Sequence, residues 1–182
     1  MKKIHWTPLL VLLLLLATAS IALAAGANFR THLTGPDEVP SRDTQAQSQA
    51  TFRLSNDGIE LYYKLIASNI DNIFMAHIHY APAGVNGPII VWLYPSAPPA
   101  VPIPGRHDGV LAEGTITGMS ILDVGPFAGL SPQEKLDLLV ESMESGAAYV
   151  NVHTNDFVDP PNTGPGDFPG GEIRGQIDGH DH

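Results

Sequence analysis

The 182-residue chain contains no cysteine. That excludes disulfides, thiolate metal sites, a cysteine nucleophile and covalent haem attachment, so the fold must rest on its own core. Basic residues are also scarce, with nine Lys and Arg against nineteen Asp and Glu and a formal charge of −10. No basic stripe interrupts this acidity, which excludes nucleic acid as a partner. Such acidity is a solvated surface and only sometimes a cation site. Beyond residue 25 no apolar run is long enough to cross a membrane as a helix. Catalytic signatures are missing as well. There is no Gly-x-Ser-x-Gly, no phosphate-binding glycine loop and no His-Glu-x-x-His. Paired catalytic carboxylates do not stand out from the acidic background, so a hydrolase is unsupported.

What the chain does have begins with a leader. Met1-Lys2-Lys3 is positive, Leu9 to Leu16 is almost entirely leucine and valine, and Ala22-Leu23-Ala24 is a small-x-small cleavage signal. Residues 1–24 read as a secretory signal peptide cut near Ala24, in preference to an uncleaved anchor. No cysteine follows the cut, so a lipid anchor is excluded. The expected location is secreted, periplasmic or cell-envelope. Without Lys2 and Lys3, seven basic residues face nineteen acidic ones, a charge of −12.

The remainder is long enough for one domain with a real core. Residues 28–33 and 50–54 alternate as strands, and Asn56-Asp57-Gly58 is a hairpin turn leading into a return strand over 59–67. Residues 68–72 read as a turn into a strand carrying His77 and His79. Ile89 to Tyr94 is apolar on both sides and reads as a covered strand. Residues 95–109 read as a proline-rich loop, followed by a strand over 110–117. Ser131-Pro132-Gln133-Glu134 opens a helix with a capping box, and Leu136, Leu139, Val140 and Met143 form its apolar stripe. Gly146 ends it. Residues 148–154 are a strand, 155–169 a second long loop, and 170–177 the closing strand. About seven or eight short strands with one short helix predict an all-β fold, a Greek-key-like antiparallel β-sandwich or barrel. Residues 28–178 form the domain, and 179–182 a flexible tail.

In Phe74-Met75-Ala76-His77-Ile78-His79-Tyr80, the strand period of two sends His77 and His79 to one face and Ala76, Ile78 and Tyr80 to the other. In Ala148-Tyr149-Val150-Asn151-Val152-His153-Thr154, the apolar row is Ala148, Val150 and Val152, and His153 shares the polar row with Tyr149 and Asn151. Two such strands predict a three-histidine cluster on the outside of the β-core. Three neutral imidazoles suit copper or zinc, with a fourth position for another ligand. His107 and Glu172 are candidates for that position. Convergence of the ring nitrogens within about 4 Å would mark a metal centre. Tyr149, Asn151 and Arg174 are candidates to orient the imidazoles. The alternative is that the histidines hydrogen-bond loop groups and fix the two long loops. Glu172 and Arg174, two apart on one strand face, read as an intra-sheet ion pair.

The segments Leu33-Thr34-Gly35 with Glu38-Val39-Pro40, Ala76-His77-Ile78-His79, Gly84-x-Asn86-Gly87-Pro88, Gly146-x-x-Tyr149-Val150-Asn151-Val152-His153-Thr154 and Gly171-Glu172-Ile173-Arg174-Gly175-Gln176 together resemble the CHRD domain. That family takes its name from chordin, an extracellular growth-factor antagonist, and includes exported bacterial proteins. The resemblance spans Phe29 to Ile177. It implies a binding or structural module with an extracellular or envelope ligand, and it brings no catalytic residues. Copper–zinc superoxide dismutases also place a His-x-His on an exterior strand of a Greek-key barrel. This chain is similar to them in layout only, lacking their disulfide cysteines and a dense His/Asp zinc loop. The expected function is therefore an exported binding or structural module and not an enzyme. The alternative is a copper- or zinc-binding protein, with superoxide-dismutase-like redox chemistry as its furthest extension.

Overall fold

The computed structural model describes residues 26–179. The expected leader and residues 180–182 of the expected tail lie outside the described residues. In chain order the elements are β1 (Asn28–Thr34), β2 (Gln47–Leu54), β3 (Leu61–Tyr80), β4 (Ile89–Tyr94), β5 (Ile103–Ile116), α1 (Pro132–Glu144), β6 (Ala148–Thr154), β7 (Ile173–Gln176) and β8 (Asp178–Gly179). Two 3-10 turns, Gly118–Ser120 and Gly125–Phe127, precede the helix. Gly179, assigned to the tail by sequence, pairs with Phe29 in β8.

Strand order is β2-β1-β7-β6-β3-β4, and β2 also pairs with β3. The described pairings are antiparallel. The sheet therefore closes on itself as a barrel of β1, β2, β3, β6 and β7, and closure removes the exposed edges those strands would otherwise carry. Strands β4 and β5 are added along β3, and β8 along β1. The expected all-β architecture is the observed one.

Closure depends on β3 being 20 residues long. Its first part, Leu61 to Ser68, pairs with β2, and its second, Ile73 to Tyr80, with β6. The segment read as a turn, 68–72, is instead a distortion inside this one strand. Asn69 and Asn72 take φ of 57° and 52°, a left-handed conformation that asparagine tolerates. The Asn69 amide nitrogen donates to Asp108 at 2.7 Å, and Asn72 Oδ1 accepts from the Gly105 amide at 2.9 Å. Local sequence signalled a left-handed break, and tertiary hydrogen bonds kept the chain in the sheet through it.

The proline-rich loop also ends earlier than its composition suggests. β5 begins at Ile103, so residues 103–109 belong to the ladder with β3. Pro104 is accommodated because β5 pairs with β3 alone and its other edge needs no donor.

Inward side chains alternate as the strand period demands. In β2 the buried residues are Ser48, Ala50, Phe52 and Leu54. Ala76 and Ile78 of β3 and Ala148, Val150 and Val152 of β6 join the same core. The helix covers part of the barrel with Leu136, Leu139, Val140 and Met143, all buried. Its capping box forms as read: Ser131 Oγ accepts from the Glu134 amide, and Glu134 Oε2 accepts from the Ser131 amide at 2.8 Å. Gly146 takes φ of 67° just past its end, as a helix terminus requires. No described helix is long and apolar enough to cross a membrane.

Candidate metal centre

β3 and β6 lie side by side, with His77 opposite Asn151, His79 opposite Tyr149 and Met75 opposite His153. Directly paired residues share a face. His153 is therefore diagonal to His77, and the three imidazoles project from the face opposite the Ala76, Ile78, Val150 and Val152 core row. That face is not open, as an outer barrel face would be. All seven residues of β6 are buried, and the relative exposures of His77, His79 and His153 are 0%, 7% and 6%. The reason is the loops: residues 81–88 and 155–171 lie across it, and β4 brings Trp92 against His77 with ring centroids 4.3 Å apart, edge to face.

The polar partners of the rings come mostly from those loops. His79 Nδ1 is 3.0 Å from the carbonyl oxygen of Gly87, and His153 Nδ1 is 3.0 Å from that of Pro169. A carbonyl can only accept, so both rings carry their proton on Nδ1 and leave Nε2 bare. His153 Nε2 lies 3.2 Å from His77 Nδ1. His79 Nε2 and His77 Nε2 are buried and meet no hydrogen-bond partner. Gly87 is obligatory for its part in this. A Cβ there would stand 1.9 Å from the Tyr80 carbonyl oxygen, so a side chain would drive loop 81–88 away from the strand that holds His79.

Tyr149 and Arg174 build a stack on His79. The Tyr149 ring lies parallel to the imidazole at 4.8 Å, and the Arg174 guanidinium caps the other side of the tyrosine at 3.4 Å from its centroid. The Tyr149 hydroxyl accepts from the Gly87 amide at 3.2 Å. Arg174 spends its fork on loop 81–88, donating to the carbonyls of Val85 at 2.9 Å and Pro82 at 3.0 Å. Asn151 points elsewhere, toward Glu38 and the backbone of Gly171, where a Cβ would come within 2.6 Å of both side chains.

The expected Glu172–Arg174 ion pair does not form. Glu172 is buried, accepting from Thr44 Oγ1 at 2.6 Å, Thr154 Oγ1 at 2.6 Å and the Gly166 amide at 2.8 Å. It ties loops 35–46 and 155–171 together and has no share in the imidazole group. His107 lies opposite Ile70 on β5 and is likewise outside the group.

Burial holds all three imidazoles neutral. Removal from water depresses their proton affinity, to a pKa of about 4 for His79 and His153 and about 2 for His77, with the neighbouring rings adding to the shift for His77 and His153 and Arg174 for His79. Neutral imidazole is the form that ligates a metal. One nitrogen from each ring lies within 4.8 Å of the others, and no described aspartate, glutamate or cysteine joins them. That is wider than the 4 Å mark for the set as a whole. The 3.2 Å between His77 Nδ1 and His153 Nε2 is a hydrogen bond in which His153 Nε2 accepts, and the same spacing is close to the roughly 3.3 Å between two nitrogens that share a metal at about 2.0 Å. Backbone carbonyls that fix a ring's tautomer and aim its free nitrogen are the usual support of metal-binding histidines.

Sequence reading did not find the carbonyls of Gly87 and Pro169, since backbone acceptors carry no residue-type signal. It also passed over Met75, which the period of two places on the face of His77 and His79.

In comparison with known proteins, the family model described as CHRD domain matches residues 29–160. No curated protein and no solved structure matches the chain.

Proposed function

The chain belongs to the CHRD-domain family, and from that premise we propose that it is an exported binding module whose barrel holds one copper or zinc ion on His77, His79 and His153. Family membership supports a structural or binding module. The leader-like residues 1–24 support export, and the ligand the module serves is extracellular or in the cell envelope. The observation that carries the metal reading is the pair of loop carbonyls. They commit Nδ1 of His79 and His153, so both rings present an unprotonated Nε2 to the buried group, and that of His79 meets no hydrogen-bond partner. Hydrogen bonding that merely fixed the loops would not leave a buried nitrogen unpaired, because an unpartnered buried polar atom costs on the order of 1–3 kcal/mol. When bound, the ion would supply the missing partner for His79 Nε2. The protein's own residues hold the rings neutral, orient them and exclude water. Burial of all three rings favours retention of the ion over turnover of a substrate, so binding and not dismutation is the reading.

The test is metal analysis of the mature protein after loading with copper or zinc and removal of excess. One equivalent is expected, falling to none when His77, His79 and His153 are all replaced by alanine, with His107→Ala unchanged. Folding of each variant is checked by circular dichroism. Stoichiometry that persists in the folded triple variant, or no uptake by the wild type, overturns the reading.

A further inference from the structure

Resting on that metal reading, we propose that the bound ion is monovalent copper and that the thioether of Met75 is its fourth donor. Met75 is the direct cross-strand partner of His153 in the β3–β6 ladder and lies two residues before His77. Both relations place it on the imidazole face. A distortion of the ladder between Ile73 and Met75 separates this stretch from the core register, and Met75 is left half-buried beside a group whose other members are buried. A methionine there packs no core: the inward positions of this stretch are Ile73, Ala76 and Ile78.

Charge selects the oxidation state. All three protein ligands are neutral, and no described carboxylate or thiolate joins them. The Arg174 guanidinium, which reaches His79 through the Tyr149 stack, adds a positive charge beside the group. The cost of burying an ion grows as the square of its charge, so a dication costs about four times as much as a monocation of similar size. A dication in this group has no anion to offset that. The donor set points the same way. Thioether sulfur is a soft, uncharged ligand that prefers Cu(I), whereas Zn(II) gains little from it.

The experiment is anaerobic competition of the mature protein against chromophoric chelators, run separately for Cu(I), Cu(II) and Zn(II), on wild type and Met75→Leu. Leucine preserves the volume and removes the sulfur. Cu(I) is expected to bind at least about a hundredfold more tightly than Zn(II) or Cu(II), and Met75→Leu to weaken Cu(I) by about tenfold or more with Zn(II) unchanged. X-ray absorption of the Cu(I) protein should show one sulfur neighbour, lost in Met75→Leu, whose thermal unfolding is measured to confirm its fold. Zn(II) or Cu(II) binding as tight as Cu(I) overturns the assignment of the ion. Cu(I) affinity and sulfur scattering unchanged in Met75→Leu overturn the role of Met75. Uptake of none of the three metals overturns the three-histidine reading itself.

Discussion

Each histidine of the cluster is defined by what its ring lacks. His77 has no exposure, and His79 and His153 have almost none. Their depressed pKa values carry a stability consequence with a definite sign. In the unfolded chain these groups accept protons near the ordinary value of 6.5, and in the folded chain only near 4 or below. The unfolded state therefore binds more protons between those limits, and stability falls as pH drops from about 6.5 toward 4. Each histidine contributes a slope of up to about 1.4 kcal/mol per pH unit. Glu38 works in the opposite sense. Burial raises its carboxyl pKa to about 7, so between pH 7 and 4.5 the folded state holds a proton that the unfolded state releases. It offsets roughly one histidine, and the metal-free protein should lose stability with a net slope of about two protons. Urea denaturation at a series of pH values measures this. His79→Gln should flatten the slope by about one proton, and a flat profile in the wild type would contradict neutral buried imidazoles.

Among the elements, loop 81–88 and strand β7 work as one. Arg174, buried on β7, gathers the Pro82 and Val85 carbonyls, while Tyr149 accepts from the Gly87 amide and stacks on the ring that Gly87 anchors. Arginine is needed because its planar fork reaches two carbonyls at once and lies flat on the tyrosine. Arg174→Lys keeps the charge and loses the fork. It should destabilise the protein by about 2–3 kcal/mol and weaken metal binding several-fold without touching a ligand. Thermal unfolding and metal competition, measured on the same variant, check both parts. Unchanged metal affinity would mean that the loop holds its place without Arg174. The helix illustrates the opposite case. Its cap, its stripe and its terminal glycine were all legible locally, because capping and amphipathicity are short-range.

At the scale of the whole molecule, the barrel decides that the histidine strands are neighbours. β3 reaches from β2 to β6, and the ring closes through β7 and β1. Ile78 is the inward residue between the two histidines of β3 and is completely buried against the core. Ile78→Ala should therefore cost about 2–5 kcal/mol in chemical denaturation, since the cavity forms where the barrel is already closed. Its metal stoichiometry should stay at one equivalent where the protein remains folded. Loss of metal binding without loss of stability would place Ile78 on the wrong face.

Alternation in the residues around His77, His79 and His153 determined, without any structure, which side chains enter the core and which share the opposite face. Pattern of this kind is local, depending only on a two-residue period and the contrast between apolar and polar groups. The same locality explains the misreadings. Asn69 and Asn72 signal a turn by their own preferences, yet hydrogen bonds to residues far along the chain hold them within β3. Glu172 and Arg174, two residues apart, resemble an ion pair, yet each is claimed by a different loop. Tertiary structure alone decided that β3 and β6 pair in the register that sets His153 beside His77, and that loops bury their face. It also supplied the carbonyls of Gly87 and Pro169 that aim the rings. Register and loop coverage follow from the closure of the barrel, and closure is a property of contacts between segments distant in sequence.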